Sequence, residues 1–281
     1  PGNQLAESIK ENFKDSFGKS IKFDSLVFKY NGDIILQNFY LSNTTDFNDN
    51  VNLIKCNEVV IDTYLFDLLR KKITFSAVIM YKPDINIIKN YGKSYTDTFI
   101  NDIGAGIKKD KISQFITKTF SIELVDSRLF YREIFKKAKT SIDFEDVDID
   151  IDYDGNEIDY DLDGKIVNDN ISRWRKCRFN AEGTYSIEQS RSENNLEFVN
   201  IDISLLNNLL AENYSEPFSF KGEFSGEIAL TTDNDKINII AELEGNKIFA
   251  EKVSNGETGQ ILKNENIIIE TEIFTTSSMD Q

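Results

Sequence analysis

The sequence predicts a mostly-β fold with minor α content: an elongated, curled antiparallel sheet with an N-terminal amphipathic helix and short helical excursions. The composition favours sheet, because 21 Phe and 11 Tyr stand against one Trp and three Pro. Apolar residues also recur in an eight-residue pattern, apolar-x-apolar-x-x-apolar-x-apolar, which we call the octet. Repetition of one unit predicts a sheet that grows by addition, each unit burying its face beside its neighbour.

Four octets predict long strands with a bulge at the centre of each. Alternation with period two marks a strand with one buried face. The extra central residue would turn the apolar row to the other face unless a β-bulge absorbs it. We therefore predict that each octet keeps its apolar side chains on one face. The octets begin at Ile34, Ile54, Ile73 and Ile142.

The N-terminal region predicts a helix followed by a hairpin. Apolar residues recur near helical spacing over residues 4–17, and Gly18 follows where a helix C-terminus favours glycine. This helix would cap the edge of the sheet or lead to a membrane segment. A strand over residues 21–30 then meets Asn31-Gly32, the strongest short hairpin signal, and the first octet returns.

The sequence divides into three regions. Residues 1–94 hold the helix and the first β unit, and Pro83 predicts a strand that ends nearby or lies at an edge. Residues 95–119 predict one or two helical segments or a long loop. Residues 120–281 hold further β units, interrupted by a short helix near 204–213 and closed by a polar tail.

Charge and residue types exclude several function classes. A net charge of −16 argues against a nucleic-acid partner and against docking on anionic headgroups. The chain has no His, which removes imidazole metal sites, His-activated nucleophiles and His general bases. Cys56 and Cys177 form either a disulfide or two buried thiols. No apolar run reaches 18 residues, and the start at Pro1-Gly2 indicates a piece of a longer chain.

One acidic segment resembles a Ca²⁺ loop. Asp150, Asp152 and Asp154 place alternate oxygens before Gly155, and the same spacing recurs at Asp159–Gly164. The twelfth position lacks the Glu of an EF-hand, and the flanks alternate like strands. We expect antiparallel strands with Asp on the solvent face and Asp-Gly turns. Weak Ca²⁺ binding by the first three aspartates is the alternative, and no other cofactor is expected.

A dense basic cluster, Arg173–Arg178, surrounds Trp174. Stacking on nucleic-acid bases is one interpretation, but in so acidic a chain we expect these side chains to pair with the neighbouring Asp row. Carboxylates are too numerous for one pair to be chosen as a glycosidase acid and base. The Gly-x-Ser-x-Gly motif is absent. Nothing indicates catalysis, so we predict a protein that is not an enzyme.

The apolar row of the octets has two interpretations. It is either a core covered by a second layer or the lining of an apolar groove. The weak helical regions offer few elements to cover several long strands, and an uncovered apolar face of that size aggregates unless it curls or has a ligand. A twisted sheet that curls yields a groove suited to acyl chains. The residues alone leave both interpretations open.

Three segments of the chain resemble the AsmA-like family, which includes TamB-type proteins. They are Gly18–Ser42, Val59–Ile87 with its closing Tyr81-Lys82-Pro83-Asp84, and a helix from Leu205 followed by Phe220–Leu230. The resemblance implies an inner-membrane anchor, here outside the given chain, and a periplasmic repeating β-groove. Such a groove carries phospholipids toward the outer membrane and supports outer-membrane lipid homeostasis. Envelope proteins would be its partners.

On this basis we assign the lipid-groove lining to the octets, with acyl chains as the ligand. The alternative is a structural or adhesion module with a closed core, steadied by Ca²⁺ at the 150–163 acidic loops. The predicted lining residues are Ile34, Leu36, Phe39, Leu41, Ile54, Val59, Ile61, Ile73, Phe75, Val78, Met80, Ile142, Phe144, Val147 and Ile149.

Overall fold

The chain folds mostly into strands, with one α-helix among the described residues, so the predicted mostly-β class with minor α is confirmed. The computed structural model describes residues 2–43, 45–47, 51–63, 75–90, 116–134, 139–167, 177–207, 218–234, 236–254 and 257–276.

The elements are short strands near the N-terminus and strands of up to 20 residues near the C-terminus. They are α1 (Gly2–Phe17), β1 (Ile21–Lys22), β2 (Ser25–Phe28), β3 (Ile34–Ser42), β4 (Asn52–Thr63), β5 (Phe75–Tyr81), β6 (Asp84–Asn90), β7 (Ile116–Ile134), β8 (Lys139–Tyr153), β9 (Glu157–Val167), β10 (Cys177–Ser186), β11 (Arg191–Asp202), a 3-10 helix (Ile203–Leu206), β12 (Phe218–Asp233), β13 (Lys236–Ser254) and β14 (Glu257–Thr276).

The strands form one large mixed sheet. Its order is β1-β3-β4-β5-β7-β8-β9-β10-β11-β12-β13-β14, with β2 paired to β3, and β6 paired to β4 and β7. The prediction of an antiparallel sheet is wrong at one pair, because β5 and β7 run parallel, with Tyr81 opposite Val125. A parallel pair needs a crossover connection of a dozen or more residues. The segment from residue 91 to residue 115 is long enough to supply it.

Two compact units divide the chain. Unit 1 is Pro1–Glu133 with Glu145–Gly155, and unit 2 is Ile134–Phe144 with Asn156–Gln281. Strand β8 therefore contributes residues to both units. The helical or loop excursion predicted at 95–119 lies outside the described residues as far as residue 115, and from Ile116 onward the chain is in β7.

Helix α1 confirms the predicted N-terminal helix and ends at its glycine. Gly18 has φ 66°, and its N–H donates to the Lys14 carbonyl at 2.8 Å, the closure typical of a glycine-terminated helix. Ile9 and Phe13 are four residues apart, so they share one face of α1. Both pack in the core cluster of unit 1, which fixes the helix against the sheet.

The hairpin predicted at Asn31-Gly32 joins β2 to β3. The two strands pair antiparallel, with Phe28 opposite Ile34. Gly32 has φ 108° and its N–H donates to the Lys29 carbonyl, a backbone conformation that glycine adopts without strain. The hairpin prediction is confirmed.

The central irregularity predicted for the octets is present. In the first and fourth octets the second central residue is left-handed, at Asn38 (φ 52°) and Asp146 (φ 49°). In the third octet the register of β4 and β5 shifts by one residue across Ser76. Asn and Asp tolerate this conformation better than other non-glycine residues. The left-handed Asn38 in β3 and the register shift in β5 keep the apolar rows of these two strands on one face.

The second octet, in β4, also keeps its apolar side chains on one face, but its register with β3 is unbroken. Strand β4 keeps its register with β3 on both sides of the slip, with Leu36 opposite Val59 and Phe39 opposite Cys56. Both strands therefore change alternation at the same level of the sheet, and the β-bulge predicted for these two octets is wrong for the pairing of β3 with β4.

The irregular positions of β5 to β8 are tied together by hydrogen bonds and one ion pair. Lys82 (φ 52°) donates its N–H to the Val125 carbonyl at 2.8 Å, and its Nζ lies 3.0 Å from Asp126 Oδ2. Asp126 (φ 54°) donates its N–H to Asp148 Oδ1 at 2.6 Å. These contacts thus satisfy backbone N–H groups at positions where the regular pairing of strands is interrupted.

Pro83 separates β5 from β6, so the prediction that its strand ends nearby is confirmed. Its carbonyl accepts the Arg128 N–H at 2.9 Å, and the Arg128 guanidinium lies 2.7 Å from Asp84 Oδ1. The helix predicted near 204–213 begins as the 3-10 helix, with the Asp202 carboxylate accepting the Ser204 N–H at 2.9 Å. Its part beyond residue 207 lies outside the described residues.

Candidate functional site

The octets of unit 1 form its core. In the first two octets, six of the predicted lining residues are buried, with exposed fractions from 0% at Ile34 to 8% at Ile61. The other described lining residues of the first three octets pack against this cluster and are partly buried. The six are Ile34, Leu36, Phe39, Leu41, Val59 and Ile61, and the partly buried four are Ile54, Phe75, Val78 and Met80.

Helix α1 supplies part of the cover over this cluster. Ile9 belongs to the same cluster as Ile34 and Leu36, and Phe13 packs against it. Side chains that are 0 to 8% exposed leave little surface for a ligand while the helix stays in place. The assignment of these residues to a lipid surface remains a prediction, with core packing as the arrangement that the structure displays.

The remaining predicted lining residues are dispersed. Ile73 lies outside the described residues. Val147 is 1% exposed and Ile149 is partly buried, both in the unit 1 portion of β8. Ile142 and Phe144 are partly buried in the unit 2 portion, where the Phe144 ring meets the Phe179 ring edge to face, with centroids 5.4 Å apart.

The acidic segment lies on the solvent face, as expected. Asp150 and Asp152 are exposed on β8, and Asp154-Gly155 forms the turn into β9, with Gly155 at φ 106°. The second predicted Asp-Gly turn is wrong, because Gly164 is buried within β9 opposite Phe179. Within the described ranges, no three Asp, Glu or Cys side chains are grouped to hold a metal ion.

Arg178 is the one described basic residue of the cluster Arg173–Arg178. Arg178 lies opposite Lys165 on β9 and Val199 on β11. Arg178 therefore does not directly face a member of the Asp row, and its pairing with that row stays a prediction. The other basic members of the cluster lie outside the described residues.

Unit 2 presents a second apolar surface, formed by residues other than the predicted lipid-groove lining. Side chains of five antiparallel strands meet on it in register, row by row across the sheet. We call it the apolar face of unit 2. Its members are Ile158, Tyr160, Leu162, Gly164, Ile166, Cys177, Phe179, Ala181, Gly183, Tyr185, Ser192, Asn194, Leu196, Phe198, Gly226, Ile228, Leu230, Thr232, Ile237, Ile239, Ala241 and Leu243.

None of these members carries a formal charge, whereas the opposite face of the same strands is charged. Asp159, Asp161 and Asp163 alternate along β9 with Tyr160 and Leu162, so they stand on that other face. The basic residues of β10, β11 and β13 stand there too, at Arg178, Arg191 and Lys236. The sheet of unit 2 is therefore amphipathic across its thickness.

The larger side chains on the apolar face are mostly partly exposed. Phe198 is 8% exposed and Ala241 7%, but Leu162, Leu196 and Ile228 keep intermediate exposure. In the described part of unit 2, elements that approach each other over several residues are neighbours in the sheet, apart from the 3-10 helix against β12.

Glycines on the apolar face let side chains of flanking strands meet above them. Gly183 lies between Tyr160 on β9 and Asn194 on β11, and a Cβ at Gly183 would lie 2.7 Å from Tyr160 Oη. The Tyr160 hydroxyl donates to Asn194 Oδ1 at 2.8 Å across this gap. Burial raises the pKa of Tyr160, so its hydroxyl keeps its proton at neutral pH.

Both thiols are free and buried. Burial raises the pKa of Cys177 to about 11, and it raises the pKa of Cys56, whose Sγ lies 2.9 Å from the Glu58 carbonyl oxygen. A thiol that stays protonated is a poor nucleophile and a poor metal ligand. The two cysteines therefore act as small apolar side chains here.

The apolar face of unit 2 had a sequence signal. Ile158, Tyr160 and Leu162 alternate with aspartates, and Leu196 and Phe198 alternate with polar residues in the same way. The aspartates of this alternation resemble a calcium loop, whereas its apolar half is as regular and predicts a buried or ligand-binding face. Register between strands, which joins the rows into one surface, is not visible in a single strand.

A comparison with protein-family models gave no match for this chain, and neither did a comparison with curated proteins. Among the described residues, no helix combines the length and the apolar character needed to cross a membrane.

Proposed function

We propose that the protein binds lipid acyl chains on the apolar face of unit 2 and transfers phospholipid between membranes without catalysis. The supporting observation is the set of partly exposed apolar rows on five strands, with formal charges on the opposite face. A contiguous, partly exposed apolar patch is typical of an interaction site. An acyl chain is apolar along its whole length and needs no charged partner.

The dimensions of the face suit such a ligand. Five strands at about 4.8 Å spacing span about 20 Å, and the stretch from Ser192 to Phe198 adds about 20 Å along the strands. Half of a bilayer's hydrocarbon thickness is about 15 Å, so the face accommodates the length of one leaflet's chains. Burial contributes about 0.8 kcal/mol for each CH₂ group that leaves water.

A sheet that curls toward this face would account for the intermediate exposure of its apolar side chains. Twist and curl bring the rows of neighbouring strands together and shield them partly from water. A bound chain would complete this shielding along the rows of Leu162, Leu196 and Ile228. Polar headgroups would stay in solvent, and a chain held only by apolar contacts can slide along them.

The setting of this function follows the AsmA-like resemblance alone. It comprises a periplasmic location, an inner-membrane anchor in the longer protein, envelope partners and transfer toward the outer membrane. Those features are part of the proposal.

Liposome transfer of a fluorescent phospholipid tests the proposal directly. We expect the protein to accelerate transfer and to carry lipid in native mass spectrometry. Ile228→Asn, which places an amide on the apolar face, should slow transfer several-fold. Ala229→Asn on the other face of the same strand is the matched control and should transfer normally.

Both variants should keep the far-ultraviolet circular dichroism of the parent protein. Absence of co-purified lipid together with absence of transfer would exclude the proposed function.

A closed structural or adhesion module is the second candidate, and the buried cluster of unit 1 favours it. This candidate predicts no lipid uptake. An increase in melting temperature on addition of Ca²⁺ would support a closed module that Ca²⁺ stabilises at the 150–163 acidic loops.

A further inference from the structure

Four polar side chains stand together at one end of the otherwise apolar face of unit 2. They are Tyr160, Ser192, Asn194 and Thr232, and we call them the polar anchor. Ser192 and Thr232 are directly opposite each other on β11 and β12, close to the turn that joins β10 to β11. All four are partly exposed.

The polar anchor is one connected network. Tyr160 Oη donates to Asn194 Oδ1 at 2.8 Å, and Asn194 Nδ2 donates to Ser192 Oγ at 3.0 Å. Ser192 Oγ and Thr232 Oγ1 share a hydrogen bond at 2.7 Å. The network holds the four groups in a fixed arrangement before any ligand arrives.

Hydrogen-bond capacity remains in this network. Two hydroxyl groups, Ser192 and Thr232, share one hydrogen bond, so the hydrogen of one of them is left to donate outward. Tyr160 Oη donates to Asn194 and keeps lone pairs that can accept. The anchor therefore offers a donor for a carbonyl oxygen and an acceptor for a hydroxyl group.

Charge decides which ligand groups fit. The basic residues nearest along the strands, Arg191 and the Lys236 of β13, stand on the opposite face. An anionic phosphate or carboxylate would find no cation on the apolar face, so it gains little there. An uncharged ester carbonyl or hydroxyl finds matching partners.

We propose that the polar anchor binds the uncharged ester and hydroxyl oxygens of a glycerolipid, and so fixes the direction in which the lipid lies. The ester region sits at Ser192 and Thr232, and the chains run toward Phe179 and Phe198. This inference rests on the proposed lipid-binding function and names the chemical group that the same face recognises.

The test compares two uncharged ligands on the whole protein. Diphenylhexatriene, a fluorescent hydrocarbon, reports occupation of the apolar face, and dioleoylglycerol and octadecene compete with it. Dioleoylglycerol carries two esters and a hydroxyl, whereas octadecene has none. We expect dioleoylglycerol to compete about tenfold more strongly for each pair of hydrogen bonds that it gains, beyond the effect of its second chain.

Two variants distinguish binding at the polar anchor from binding on the rest of the apolar face. The double variant Ser192→Ala, Thr232→Val should bind dioleoylglycerol about tenfold more weakly than the parent protein does. It should bind diphenylhexatriene and octadecene with unchanged affinity. Thr231→Val is the matched control, because Thr231 stands on the opposite face beside Thr232. It should leave all three ligands unchanged.

Each outcome decides between the two proposals. If the double variant binds dioleoylglycerol as tightly as the parent protein, the anchor proposal is wrong and the lipid-binding face stands. If the parent protein binds none of the three ligands, the lipid-binding function fails and the anchor fails with it.

Discussion

Asn38 provides the sharpest test of how the apolar rows stay on one face. It is left-handed, with φ 52°, at the centre of the first octet, and its Nδ2 donates to Asp24 Oδ2 at 2.7 Å on the surface. Replacing it by Val puts a β-branched side chain into a conformation that disfavours it by about 1–2 kcal/mol. Loss of the exposed hydrogen bond adds about 0.5 kcal/mol. We expect Asn38→Val to cost about 2 kcal/mol.

Two further variants isolate the backbone contribution. Asn38→Gly loses the same hydrogen bond but relieves the conformation, so its effect should stay within about 0.5 kcal/mol of the parent protein. Gln37→Val changes the neighbouring exposed residue, which is not left-handed, and should be close to neutral.

Urea unfolding followed by far-ultraviolet circular dichroism gives the midpoints of all three variants. Because unit 1 and unit 2 need not unfold together, the comparison uses the transition that shifts with Asn38→Val. Equal midpoints for Asn38→Val and Gln37→Val would show that the left-handed residue does not hold the octet. If Asn38→Gly lowered the urea midpoint as much as Asn38→Val, the left-handed conformation would likewise not be what holds the octet.

Three other predictions follow from burial and close approach. Leu36→Ala should cost about 2–5 kcal/mol in urea unfolding, because Leu36 is 1% exposed, whereas Val27→Ala at 45% exposure should change little. Gly183→Ala should cost about 1–3 kcal/mol, because its Cβ would lie 2.7 Å from Tyr160 Oη, whereas a Cβ at Gly259 lies 3.8 Å from its nearest neighbour and should be tolerated. In a Cys56→Ala background, Cys177 should react at pH 8 about a hundredfold more slowly than an ordinary thiol, because its pKa is raised to about 11. The protonated Cys177 thiol stabilises the folded protein fully at pH values below the ordinary thiol pKa, and this stabilisation is lost as the pH rises toward 11. Reaction of Cys177 as fast in the folded as in the unfolded protein would contradict the burial of its sulfur.

Local patterns predicted the local structure of this chain well. Gly18 marked the end of α1, Asn31-Gly32 marked the hairpin, and the slip inside the first octet marked the irregular backbone at Asn38. Each of these features depends on residues close in sequence and on the conformations that those residues prefer. Such preferences are visible in the sequence itself.

Long-range features were harder to predict. The parallel pairing of β5 and β7 depends on where the chain returns after the 91–115 segment, and no local pattern encodes it. The buried Gly164 looked like a turn because Asp-Gly usually is one, yet its partner across the sheet is Phe179. The apolar face of unit 2 likewise exists only when five strands are aligned.

Photo-crosslinking at neighbouring residues of β11 tests the central claim most directly. A benzophenone side chain would replace Leu196, on the apolar face of unit 2, or Glu197, on the charged face, in the whole protein with radiolabelled phospholipid vesicles. Acyl-chain binding on the apolar face predicts a lipid adduct at position 196 and little at position 197. Equal labelling at both positions, or none at 196, would contradict the account.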